Sequence, residues 1–154
     1  MSGLTPRGRA TVASDSTGPE WSRRWLEATN VERAKNGLPP YQPHDVATEV
    51  ARQRCDYLVA TKTFQHDDPT VPGDTYYERL IALGFTTWLW AGENLAMNNY
   101  PDPLAEALRG LMASPTHRAN ILSRDFTHMG SWAGIRPDGV YLFAFIFLGI
   151  GGRQ

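Results

Sequence analysis

Two histidines and one glutamate are the side chains in this sequence best suited to chemistry. His66 and His117 each stand just beyond a predicted helix, among polar and turn-forming residues, and Glu93 stands between glycine and asparagine. An imidazole in such a place is available as a metal ligand or as a base. The three groups could bind a divalent metal such as zinc, with a fourth position open to water, or perform metal-free acid–base catalysis. Equally, each could form local hydrogen bonds that hold a loop.

Five polar residues are candidates for a supporting role around those three. Asp67 and Asp68 follow His66 and could orient its ring, although adjacent acids in a proline-rich loop are more often simply exposed. Asn94 adjoins the glutamate, and Ser114 precedes the second histidine by three positions. His128 lies within a predicted strand, where it is interpreted as a structural histidine that could alternatively face the same cleft.

Other familiar signatures of catalysis are missing from the sequence. It contains no Gly-x-Ser-x-Gly elbow, no phosphate-binding loop and no pair of cysteines at metal-ligand spacing. Cys55 is the only cysteine, so an internal disulfide is impossible. It lies on the apolar side of a helical pattern and is interpreted as a small buried hydrophobe.

Composition limits the class of protein. The chain has 154 residues, 42% of them hydrophobic, and a formal net charge of −1, which fits one globular domain and gives no footprint for nucleic acid. No apolar run approaches the roughly 18–20 residues of a membrane span. The first twenty residues contain no hydrophobic signal-peptide core.

Helical patterns precede each of the candidate residues. They predict helices over residues 19–36, 45–62 with Asp45 as N-cap, and 75–83. A fourth helix begins with Asp102 as N-cap and Pro103 in the first turn, and Ser114 with Pro115 is predicted to end it.

The remaining apolar segments predict strands. Residues 88–96 are extended, and residues 126–135 and 140–148 form a hairpin. The last segment is apolar at nearly every position, so both of its faces must be covered by helices. The fold class is therefore α+β, a three-layer α-β-α sandwich with a central antiparallel sheet. We predict a flexible N-terminal arm over residues 1–19, which could pack on a neighbouring protein, a single domain over 20–150 and a tail over 151–154.

Four motifs in order give the chain a family resemblance. The chain resembles the CAP superfamily of cysteine-rich secretory, antigen-5 and pathogenesis-related proteins, and within it the bacterial, disulfide-free branch. The motifs are Asn-Val-Glu-Arg-Ala-Lys-Asn-Gly-Leu-Pro at 30–39, Phe-Gln-His at 64–66, Ala-Gly-Glu-Asn-Leu-Ala at 91–96 and Ser-Pro-Thr-His-Arg-Ala-Asn-Ile-Leu at 114–122.

The resemblance implies an α-β-α sandwich and a cleft where two histidines and two acids converge. His66 and His117 match the histidines, and Glu93 matches one acid. In eukaryotic relatives the second acid ends the helix before the second histidine, where this chain has Ser114. The resemblance further implies an extracellular or cell-surface location, with binding of divalent metals or of sterols and fatty acids.

These observations support three functions, in order. The first is a binding module whose cleft around His66, Glu93 and His117 binds a small ligand or a partner, with or without a divalent metal such as zinc. The second is an accessory subunit of an assembly that keeps the fold without an active site. The third is a metal-assisted hydrolase, which the absent second acid makes less favoured because a catalytic site needs a base as well as ligands.

Overall fold

Helices surround a four-stranded sheet in the computed structural model, which describes residues 17–67 and 70–150. Among the described residues the helices and strands, in chain order, are α1 (Thr17–Lys35), β1 (Gln42–Pro43), α2 (Asp45–Thr61), α3 (Tyr76–Ala82), β2 (Trp88–Asn98), α4 (Pro103–Ala113), α5 (Pro115–Ile121), β3 (His128–Ile135) and β4 (Tyr141–Ile150).

The sheet is built around β4. This strand pairs antiparallel with β3 on one side and with β2 on the other, and the strand order is β1-β3-β4-β2. The turn between β3 and β4 contains Gly139 at φ +86°, a conformation that favours glycine. The predicted hairpin and the predicted extended segment before it are both confirmed.

Alternation along β4 explains the layers. Its side chains are buried on both faces, and each face packs against a different set of helices. One face meets α2 and α3, while the other meets α1, α4 and α5. The residues on the α2 face are Leu142, Ala144, Ile146 and Leu148, and those on the α1 face are Phe143, Phe145 and Phe147. The predicted α+β fold with helices on both sides of the sheet is confirmed.

One part of the predicted sheet differs, because the sheet is mixed rather than wholly antiparallel. The two-residue strand β1 pairs in parallel with β3, with Gln42 opposite His128 and Pro43 opposite Met129. It follows two prolines, which favour extended backbone over helix. The segment lies against the outer edge of β3, where the amide of Gln42 donates to the carbonyl of Thr127 at 3.0 Å.

The N-terminal boundary of the domain also differs from the prediction. Helix α1 begins at Thr17, so residues 17–19 of the predicted arm are helical. Residues 1–16 and the predicted tail at 151–154 lie outside the described residues.

The motif at 30–39 has a structural role at the end of α1. The guanidinium of Arg33 is buried and donates to the carbonyls of Ile121 and Ser123, both at 2.8 Å. The side chain of Asn30 exchanges two hydrogen bonds with the backbone of Tyr41. This motif therefore fixes the end of α5 against α1.

Helix α5 is the main departure near the candidate site. The sequence predicts that the fourth helix ends at Ser114 and that His117 follows in a loop, but a seven-residue helix begins again at Pro115. Ser114 has extended backbone at φ −98° and ψ 120°, and Pro115 occupies the first turn, where its missing N–H costs nothing. His117 is therefore held in a helix.

Helix α2 begins one residue away from the predicted cap. Its N-cap is His44, whose Nδ1 accepts a hydrogen bond from the amide of Ala47 at 3.2 Å, and Asp45 is the first helical residue. The ring of His44 also lies 5.7 Å from that of His128, centroid to centroid. Burial is the main cause that lowers the pKa of both imidazoles, and in His44 the nearby His128 adds to it.

The His44 cap predicts acid sensitivity. Because folding lowers the pKa of His44, its neutral ring contributes stability that is fully present above the unfolded pKa of about 6.5. That contribution is lost as the pH falls through the folded pKa. Protonation also converts the Nδ1 acceptor into a donor. We expect His44→Asn, which keeps a good cap without a titrating group, to lose less stability than the wild type between about pH 7.5 and 5.5 in urea unfolding. Equal losses in the two proteins would contradict this role for His44.

Candidate functional site

The candidate site lies across the free edge of β2, the last strand of the sheet. Successive residues of a strand point to opposite faces, so Glu93 faces the α2 layer and Asn94 faces the layer of α4 and α5. Both side chains are buried. The Gly-Glu-Asn run therefore places the Glu93 carboxylate on one face of the sheet and the Asn94 amide on the other, at neighbouring positions of the strand.

Glu93 binds the first predicted histidine. Its Oε1 lies 2.8 Å from Nδ1 of His66, and only 1% of the Glu93 side chain is exposed against 56% of the imidazole. The hydrogen bond to Glu93 is the largest cause that raises the pKa of His66. The pair therefore presents an exposed ring whose charged form is favoured by a buried carboxylate.

Arg54 is a central member of the site that the sequence prediction missed. Its Nε donates to Oε2 of Glu93 at 2.8 Å, and its Nη2 donates to the carbonyls of Gln65 and His66 at 2.7 Å each. The side chain is fully buried. Arg54 thus neutralises Glu93 and holds the loop that carries His66.

The ion pairs continue beyond Arg54 to a second buried acid. Oδ1 of Asp74 lies 3.5 Å from Nη1 of Arg54 and 2.8 Å from Nη2 of Arg79. The sequence held one signal for this network, because Arg54 follows Val50 by four positions and precedes Leu58 by four, which places a charge on the buried stripe of α2. A buried charge at such a position demands a partner.

His117 approaches the same point from the other layer. Asn94 donates to the carbonyl of His117 at 3.1 Å, and Asn94 is itself held by Asn120, whose backbone carbonyl accepts from the hydroxyl of Tyr41 at 2.7 Å. Burial lowers the pKa of His117, with a further contribution from the charge of His66. Nδ1 of His117 is buried with no hydrogen-bond partner among the described residues.

A groove of about 510 Å³ runs along β2 from His117. Its floor is residues 95–98 of β2, α4 forms a wall, and Phe64 also lines it. Most of the lining side chains are apolar, and Phe64, Met97 and Tyr100 are each more than 40% exposed. The lining residues are Phe64, Leu95, Ala96, Met97, Asn98, Tyr100, Glu106, Ala107, Gly110, Leu111, Ser114 and His117.

The structure distributes the supporting candidates unevenly. Ser114 lines the groove, and Asn94 positions His117. Asp67 is exposed, and its charge contributes to the raised pKa of His66. Asp68 lies outside the described residues. His128 lies on β3, which is two strands away from β2. Two strand spacings separate these strands by roughly 10 Å, so His128 is not brought to the cleft.

The donor set does not fit a zinc site with three or four protein ligands. Nδ1 of His117 is one available donor, and His66 uses Nδ1 for Glu93, which leaves its Nε2 as a second. Both oxygens of Glu93 are engaged, one of them by the Arg54 cation. Within residues 17–67 and 70–150, no group of three or more His, Cys, Asp and Glu side chains is placed to hold a metal ion.

Comparison with known proteins gives one family. A sequence model of the cysteine-rich secretory protein family (CAP) matches residues 26–148. The chain is 30% identical over 120 residues to the uncharacterized protein YkwD of Bacillus subtilis, in an alignment that covers 78% of this chain and 45% of YkwD.

Two solved structures are similar in fold. An outer surface protein of Borrelia burgdorferi matches with a TM-score of 0.73 and 19% identity, over 84% of this chain and 92% of that one. An extracellular protein containing an SCP domain from Bacillus anthracis matches with a TM-score of 0.71 and 25% identity, over 92% of this chain and 45% of that one. The chain thus spans less than half the length of YkwD and of the Bacillus anthracis protein.

Proposed function

Since the chain belongs to the cysteine-rich secretory protein family, we propose that it is a binding module whose groove takes a small ligand with an apolar body and an anionic group. The observation that carries this proposal is the exposed ring of His66, which Glu93 holds and whose charge acts on His117, a residue that lines the groove. Like the extracellular relative from Bacillus anthracis, the module would work outside the cell or at its surface. Among the described residues, no helix combines the length and apolarity needed to cross a bilayer.

The charge and the groove have separate tasks in this proposal. A hydrogen bond between a charged imidazole and a carboxylate contributes roughly 1.5–3 kcal/mol, about tenfold or more in affinity. The apolar walls contribute about 25 cal/mol for each Å² of apolar surface that they remove from water. The ion pair with Arg54 holds the Glu93 carboxylate in place, and the hydrogen bond with Glu93 orients the His66 ring and raises its pKa.

A matched pair of probes tests this function. At about pH 6, we expect decanoate to bind at least about tenfold more tightly than decanol, which has the same chain without the charge. His66→Gln should abolish that difference, and Gly110→Phe should weaken both probes because it fills the groove. His128→Gln is the control outside the groove. Equal affinity for the two probes, or indifference of decanoate to both variants, would overturn the proposal.

The predicted divalent metal at His66 and His117 is decided by a separate titration. Zinc-dependent stabilisation that disappears in both His66→Ala and His117→Ala would establish a shared metal site. If zinc does not stabilise the protein, the two imidazoles would bind the ligand without a metal.

A further inference from the structure

The groove exposes the free edge of a long β-strand. Strand β2 has eleven residues and is the terminal strand of the sheet, so one row of its backbone N–H and C=O groups points away from β4. An uncovered edge of this kind is a template on which another strand can pair.

Side chains of the protein itself cover the first part of this edge. The hydroxyl of Tyr76 donates to the carbonyl of Ala91 at 3.2 Å, and the side-chain amide of Asn120 donates to the carbonyl of Glu93 at 3.5 Å. Both carbonyls therefore point outward, and alternation along an antiparallel strand places the backbone groups of Leu95 and Met97 on the same outward edge.

The second part of the edge is the floor of the groove. Leu95 and Met97 both line it, and their outward N–H and C=O groups have no hydrogen-bond partner among the described residues. Open space adjoins Gly110 on the α4 side of the groove, since a methyl group there would meet no heavy atom within 4 Å. The outward backbone groups of β2 are thus hydrogen-bonded by side chains as far as Glu93, and those of Leu95 and Met97 are available for pairing.

Charge complementarity indicates which end of a chain would enter. His117 lines the groove, and the exposed ring of His66, held by Glu93, lies near enough for its charge to act on His117. A carboxylate terminus placed there would accept hydrogen bonds from both rings when they are protonated. Its preceding residues would then run beside Met97 and Leu95 in the direction opposite to β2.

We propose that the groove binds the C-terminal residues of a peptide partner, which add to β2 as an antiparallel strand with their carboxylate at His66 and His117. Strand addition supplies affinity through backbone hydrogen bonds, and the apolar walls at Phe64 and Leu111 select the side chains. Residues 95–98 span about 10 Å at roughly 3.4 Å per residue, which matches about four peptide residues. This inference rests on the proposed function and specifies the class of its ligand.

Amide hydrogen exchange of the whole chain provides the test. The probe is a pool of acetylated pentapeptides of Val, Ile, Leu, Thr and Phe with free carboxylates, beside the same pool amidated at the C-terminus. We expect the free-acid pool to slow exchange at the amides of Leu95 and Met97 and to displace decanoate. The amidated pool should bind at least about tenfold more weakly, because it lacks the charge.

A proline substitution separates strand addition from occupation of the groove. Met97→Pro removes an outward N–H and is tolerated on an edge strand, so it should weaken binding of the peptide pool more than Met97→Ala does, while the two variants bind decanoate equally. Met97→Ala is the matched control, because it removes the same groove-lining side chain and keeps the N–H. If Met97→Pro does not fold, peptides that are N-methylated at alternate amides provide the same test. They lack the N–H groups that would pair with β2, so they should bind more weakly than the unmethylated pool.

The outcomes distinguish the two proposals. Suppose that decanoate binds in the groove, but the peptide pool neither displaces it nor protects the amides of Leu95 and Met97. That result would overturn strand addition and leave the proposed function standing. Displacement by the pool without protection of those amides would also overturn strand addition. Failure of decanoate and of both pools to bind would overturn both proposals.

Discussion

Arg54→Met is expected to lower the free energy of unfolding by about 3–5 kcal/mol, the cost of removing one partner from a buried ion pair. The substitution leaves Glu93 and Asp74 in the protein interior without the cation that lies between them. It also removes the donor to the carbonyls of Gln65 and His66. Urea unfolding measures the loss, and the loop that carries His66 should exchange its amides faster.

Arg52→Met is the matched control on the same helix. Arg52 pairs with Glu49 and Asp56 at the surface, where its side chain is 41% exposed, so its removal should cost less than about 1 kcal/mol. A loss in Arg54→Met as small as that in Arg52→Met would mean that the buried network does not hold the site together.

Gly130→Ala is expected to lower the free energy of unfolding by an amount near or above the upper end of the roughly 1–3 kcal/mol typical of overpacking. A Cβ at this position would lie 2.1 Å from the backbone nitrogen of Thr48 and 2.4 Å from the carbonyl carbon of Ala47. Backbone atoms cannot move aside as the end of a flexible side chain can. Helix α2, which carries Arg54, must therefore shift from the sheet.

Gly110→Ala is the control for that substitution, because a methyl group at Gly110 meets open space. Alanine is favoured over glycine in a helix by roughly 0.8–1 kcal/mol, so this variant should be more stable than the wild type. Thermal or urea unfolding of the two variants should therefore show opposite signs. Gly130→Ala with wild-type stability would contradict the close approach of α2 to β3.

The layers of the fold could be predicted because β4 is apolar at nearly every position. A strand of that kind needs cover on both faces, and the structure supplies it with phenylalanines on one side and aliphatic residues on the other. The parallel strand β1 could not be predicted in the same way. Two residues carry no periodic pattern, and their place depends on the exposed edge of β3.

The sequence contains a signal for the short helix α5, although the pattern alone predicts a loop there. Ser114 before Pro115 indicates the end of one helix, but serine followed by proline is equally typical of the start of the next. The structure uses the pair for both purposes. Because only one residue separates the two helices, there is no stretch of loop-forming residues from which the boundary could be predicted.

The site could be predicted only in part, because its buried charges have no local signature. His66 and Glu93 stand out by their residue types and flanking turns, and they are in hydrogen-bond contact. Arg54 and Asp74 lie in segments that look like an ordinary helix and an ordinary loop. Their pairing joins residues twenty positions apart, and only the tertiary fold brings such residues together.

The same limit applies to polar residues of α1. Val31 falls at helical spacing with Trp25 and Ala28, which predicts a buried position, yet it is 53% exposed, while Thr29 and Arg33 are buried. The carbonyls at the end of α5 accept from Arg33, so satisfied hydrogen bonds outweigh apolar character at this interface. A hydropathy pattern carries no information about acceptors that come from another element.

The pKa of His66, followed by NMR of its ring protons without and with saturating decanoate, reports directly whether the groove binds an anion at this ring. A carboxylate bound to the charged ring favours its protonated form, so decanoate should raise the pKa of His66 further. His128, outside the groove, should keep its own pKa. A His66 pKa that does not change, or that falls, at saturating decanoate would contradict a groove headed by the His66–Glu93 pair.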